Sequence, residues 1–126
     1  MNIEASLSSP LPGWMVQGAR VGLALLLIAV TWLALIPVTA VPVTTFWDKA
    51  DHALGFFTLT LLARLALPQL HFWRVLAPAV LAYGIGLEVA QSFTATRTAS
   101  LLDVVADGVG ILLFAAVAAI VRQRQR

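Results

Sequence analysis

From Trp14 to Ile36 the chain reads W-M-V-Q-G-A-R-V-G-L-A-L-L-L-I-A-V-T-W-L-A-L-I, with Arg20 as its single charge. About 20 mostly apolar residues are enough to cross a hydrocarbon core of about 30 Å. Three further stretches share this character. A-L-G-F-F-T-L-T-L-L-A-R-L-A-L follows the cluster Asp48 to His52, V-L-A-P-A-V-L-A-Y-G-I-G-L-E-V-A-Q-S-F follows Arg74, and a last stretch runs from Ser100 to Val121. Only 11% of the 126 residues are charged and 60% are hydrophobic, against about 25% charged in an ordinary soluble domain. So little polar material cannot clothe a soluble surface. The chain is an integral membrane protein, long enough for one domain.

The expected fold is all-α: a polytopic bundle of four transmembrane helices, antiparallel because the loops are short. The helices are expected at about 14–36, 49–67, 72–93 and 100–121, after a flexible tail over 1–13 that is broken by Pro10, Pro12 and Gly13. A signal peptide is the rival reading of the first span, with Arg20 as basic flank and Val38 to Ala40 as cleavage site. The apolar run exceeds the usual h-region of about 7–15 residues, which favours the span. Pro37 to Trp47 is expected as an extended connection and Pro68 to Arg74 as a tight turn, with Trp47 and Trp73 at the interface and His71 at headgroup level. Arg64 is expected to snorkel towards headgroups. Pro78 falls early in its helix, where a missing N–H costs least, and Gly84 and Gly86 are expected to admit a neighbouring helix.

With a cytoplasmic N-terminus, the inner side carries Arg20, Arg64, Arg74, Arg122, Arg124 and Arg126, and the outer side only Lys49 and Arg97. This asymmetry predicts a multi-pass protein with both termini cytoplasmic. There is no cysteine, which removes disulfides, thiolate nucleophiles and thiolate metal sites. The net charge of +2 comes from scattered arginines and a terminal R-Q-R-Q-R. That is no footprint for nucleic acid, so the expected partner is the lipid bilayer.

Once the spans are drawn, the remaining polar groups collect at one membrane face. Asp48, Lys49, Asp51 and His52 open the second helix, Glu88 and Gln91 close the third, Arg97 lies in the loop, and Ser100, Asp103 and Asp107 open the fourth. Asp48 and His52 are four apart, as are Asp103 and Asp107, so each pair shares a helix face. Glu88 lies a turn and a half below its helix end, where a carboxylate is costly and calls for the bundle interior and a partner. Arg97 is the expected partner, directly or through Asp103.

Each residue also has a structural reading. Asp48 and Ser100 suit N-caps, with Asp103 as an acidic capping-box residue. Glu88 with Arg97 suits a buried ion pair, and Gln91 suits interhelical glue. Lys49 and Asp51 suit ordinary loop charge, and His52 a polar helix end.

This set resembles the VanZ-like family of small bacterial integral membrane proteins. D-K-A-D-H at Asp48 to His52 looks like that family's Asp-Lys-x-x-His. E-V-A-Q at Glu88 to Gln91, R-T-A-S-L-L-D at Arg97 to Asp103, and Gly108 and Gly110 follow in the family's order and spacing. The family usually carries Asn where this chain has Asp107. The resemblance implies a bacterial inner-membrane location and a link to the cell envelope, since the founding member is associated with resistance to the glycopeptide antibiotic teicoplanin.

Two functions follow as expectations. One is an enzyme at the outer leaflet acting on an envelope lipid or lipid-linked precursor. Its candidate catalytic residues are Asp48, His52, Glu88, Arg97 and Asp103, and its candidate substrate-binding residues are Lys49, Gln91, Arg97, Ser100 and Asp107. Here His52 serves as base with Asp48 as its orienter, and Arg97 with Lys49 holds a phosphate of a phospholipid headgroup. The other is a non-enzymatic accessory protein binding a lipid or an amphiphilic drug at the same residues. A third, an ion pathway, needs an oligomer. Asp48, His52, Asp103 and Asp107 are chemically able to hold a divalent cation, but their spacing is no metal signature and no metal or cofactor is assigned.

Overall fold

The structure, a computed structural model, describes residues 10–37, 39 and 48–126. The expected tail over 1–9, the cleavage site at Val38 to Ala40 and most of the connection to Trp47 fall wholly or partly outside these residues. Among the described residues the chain is helical, without strands. It forms α1 (Gly13–Leu35), α2 (Asp48–Ala66), α3 (Ala77–Ser92) and α4 (Leu101–Arg124). A π-helical turn over Phe72–Leu76 leads into α3. It widens the helix where the ring of Pro78 crowds the carbonyl of Arg74.

Three helical stretches are long and apolar enough to cross a membrane: Gly13–Leu35, Phe72–Ser92 and Leu101–Arg124. α2 falls short because its nineteen residues carry Asp48, Lys49, Asp51 and Arg64. Its position explains how it tolerates them, since α2 meets each of the other helices and packs most extensively against α4. Gly110 sets that approach. A Cβ there would collide with the backbone carbonyl of Ala53 and the amide of Phe57, so only glycine lets the two backbones come this close.

α1, by contrast, buries only Ala19 and turns Val21, Leu25, Ile28 and Trp32 outward. α4 exposes Leu101, Leu102, Val105 and Leu112 in the same way. An apolar exterior of this extent suits hydrocarbon rather than water. The core lies towards the end away from Asp48, where Phe114 meets Phe57 edge-on at 6.0 Å and Phe72 at 5.7 Å, over Ile111 and Leu76.

Two sequence expectations are corrected here. Arg64 does not snorkel. It is buried, and its Nη1 donates to the carbonyls of Pro68 and Leu70 at 3.2 and 3.0 Å, closing the α2–α3 connection. The carbonyls of this turn, beyond the end of α2, need donors, and the guanidinium is within reach. Gly86 admits no neighbour, since a Cβ there meets nothing within 4 Å. His71 caps the π turn, its Nδ1 accepting from the Arg74 amide at 3.4 Å.

Candidate functional site

The start of α2, the end of α3 and the start of α4 meet at one end of the bundle, together with the C-terminal end of α1. A cleft of about 220 Å³ opens there. Asp48, Asp51, His52, Glu88, Gln91, Arg97 and Asp107 line it, with Val30, Leu33 and Phe56 among its apolar walls. Helical spacing brings Asp48 and His52 to the same side of α2, and Asp103 and Asp107 to the facing side of α4.

Between α2 and α4 the charges alternate. Lys49 Nζ donates to Asp48 at 3.2 Å and, more tightly, to Asp103. The other Asp103 oxygen lies 3.7 Å from His52 Nε2, and His52 Nδ1 hydrogen-bonds Asp107 at 2.9 Å. The row Lys49, Asp103, His52, Asp107 thus runs inward from the rim, and Asp107 is almost wholly buried at 1% exposure. Gly84 on α3 makes room for this carboxylate, because a Cβ at Gly84 would press on Asp107 and on the ring of Phe56. Asp48 to His52 is the charged first turn of α2, outside the three apolar spans.

Glu88 faces the interior as expected, but its partner is not Arg97. Glu88 Oε2 accepts the backbone N–H of Ser100 at 2.7 Å. Arg97 turns instead to the end of α1, with Nε to the Ile36 carbonyl at 3.2 Å and Nη2 to that of Leu33 at 2.7 Å. Gln91 Nε2 joins it on Ala34 O at 3.0 Å. α1 has no basic residue in its last turn, so groups from elsewhere in the chain satisfy its final carbonyls. This replaces the expected Glu88–Arg97 pair, since each charge is compensated by a helix end.

Ser100 occupies the N-cap position of α4, yet its hydroxyl makes no capping bond. Asp103, read as a capping-box partner, is drawn away by Lys49 and His52. Asp107, not Asp48, orients His52. Lys49 and Arg97, read as phosphate holders, are both engaged within the protein. Asp48, His52 and Asp103 hold donor atoms within 4.8 Å of one another, a spacing one divalent ion would suit. Lys49 already supplies a cation to both carboxylates of that trio.

Sequence reasoning passed over one contact. Tyr83 Oη meets Thr31 Oγ1 at 2.7 Å and donates to Leu27 O at 3.2 Å, tying α3 to α1. A threonine and a tyrosine inside apolar spans are themselves a signal of such a bond. Comparisons with protein-family models, curated proteins and solved structures return no match to this chain.

Proposed function

We propose that this chain is a VanZ-like protein of the bacterial inner membrane, spanning it four times, that binds the head of an envelope lipid or lipid-linked precursor. α2 is the fourth crossing, tolerated despite its charges because it packs against α4 and α1 and also meets α3. Both termini are cytoplasmic and the cleft faces the outer leaflet. The end away from the cleft holds six arginines, whereas the cleft end holds only Lys49 and Arg97, as expected when basic residues stay inside.

One observation carries the reading. Polar side chains from α2, α3, α4 and the loop before α4 converge on a single cleft at one end of a bundle whose outer surface is apolar. Asp48, Asp51 and His52 stand at its opening, where a bound head would meet them. A second reading, proton transfer to a bound head, rests on the His52–Asp107 bond, which has the arrangement of a base and its orienting carboxylate.

Lipid profiling tests the reading in cells carrying the native chain, His52→Ala or Asp51→Asn. The expected outcome is a shift in the pool of one envelope lipid in both variants. Unchanged pools, with each variant present in the membrane at native abundance, would overturn it.

A further inference from the structure

A second cavity, of about 240 Å³, lies between α1, α2 and α3, three of the four helices that wall the cleft. On α1 its lining runs through Leu23 and Leu27, and that of the cleft continues through Val30 and Leu33. On α2 the order is Leu59 and Ala63, then Phe56 and His52; on α3 it is Val80 and Tyr83, then Leu87 and Glu88. The two cavities are therefore stacked end to end along one interhelical seam. Their characters are opposite. The cleft presents carboxylates, an imidazole and a guanidinium, whereas Tyr83 is the one polar residue in the lining of the second cavity.

The shared wall is a ring pair. Phe56 faces the cleft and Tyr83 the apolar cavity, with centroids 6.2 Å apart. The Tyr83 hydroxyl is bonded to Thr31 and Leu27 of the lightly packed α1. Interhelical hydrogen bonds of this kind are weak in membranes, so the wall can yield.

We infer that the seam takes one amphiphile lengthwise, its ammonium-bearing head in the cleft and one hydrocarbon chain in the apolar cavity between α1, α2 and α3. This rests on the head-binding reading above and names the class of its ligand. Charge complementarity selects the head: Asp48, Asp51, Glu88 and Asp107 line the cleft against only Arg97 and His52. Segregation of polar and apolar linings along one axis selects a chain for the rest. A free headgroup would leave the second cavity empty, and a plain hydrocarbon does not match the polar lining of the cleft.

The test uses the full chain in lipid nanodiscs containing phosphatidylethanolamine with a diazirine in one acyl chain. After illumination, adducts are mapped by peptide mass spectrometry. Leu59 and Leu76 line the cavity and are 1% and 3% exposed, whereas Leu25 and Ile28 lie on the exposed face of α1 and serve as an internal control. The expected result is adducts on both sets, with those on Leu59 and Leu76 lost when Val80→Trp or Leu27→Phe fills the cavity and those on Leu25 and Ile28 kept. The head is followed separately through the ring signals of His52, distinguished from His71 by a His71→Gln variant, as chainless glycerophosphoethanolamine is added. A His52 shift without cavity adducts would overturn the tail assignment and leave the head site standing. Cavity adducts without a His52 shift would overturn both the single occupant and the head reading, and neither signal would remove both.

Discussion

Glu88 and Arg97 line the same cleft without pairing: Glu88 takes the Ser100 amide at the start of α4, and Arg97 takes the Leu33 and Ile36 carbonyls at the end of α1. A carboxylate at a helix N-terminus and a guanidinium at a helix C-terminus each meet the favourable end of a macrodipole. Two charges in an apolar bundle are thereby satisfied by backbone.

If this is so, the two side chains act independently. Glu88→Gln and Arg97→Gln should each destabilise the fold by about 1–3 kcal/mol, as expected for loss of a charged hydrogen bond. The double variant should equal their sum within about 0.5 kcal/mol. Unfolding in detergent, followed by circular dichroism, measures the cycle, and a coupling above about 1 kcal/mol would restore the direct pair.

Gly110→Ala places a methyl group against the Ala53 carbonyl. Backbone cannot give way as a side chain can, so a loss of about 1–3 kcal/mol is expected. Gly86→Ala and Gly108→Ala, whose added carbons meet nothing within 4 Å, should stay within about 0.5 kcal/mol of the parent. Equal thermal shifts for all three would show that α2 and α4 are not in close contact.

Tyr83→Phe removes the bond to Thr31 while keeping the ring against Phe56. A cost of about 0.6–1.7 kcal/mol is expected, the range for interhelical hydrogen bonds in a bilayer. Thr31→Val should cost less, because it leaves Tyr83 its bond to Leu27 O. The reverse order would assign the joint to some other contact.

Orientation is open to direct labelling, because the chain has no native cysteine. Ala95→Cys, in the loop beside the cleft, should react with an impermeant thiol reagent on intact cells, and Gln125→Cys only after permeabilisation. The opposite pattern would put the cleft at the cytoplasmic face.

The contrast between what could and could not be read in the residues has a physical cause. The helices were legible because length and apolarity set a span almost regardless of detail, whereas the His52–Asp107 bond was not, because a spacing of four marks a helix face but not which residues meet across two of them. The partners of Glu88 and Arg97 were not legible, because each binds main-chain groups that every residue carries. Arg64 misled for the same reason: carbonyls of the following turn hold it, and nothing in their side chains announces it. Tyr83 and Thr31 were readable in principle, being hydroxyls in otherwise apolar spans.

α1 is tied to the rest through its main chain: Leu27, Leu33, Ala34 and Ile36 all offer carbonyl oxygens to Tyr83, Arg97 or Gln91. A joint of this kind recognises helical geometry rather than residue identity. The outer residues of α1 can therefore drift to match bilayers of different thickness or composition while the joint persists.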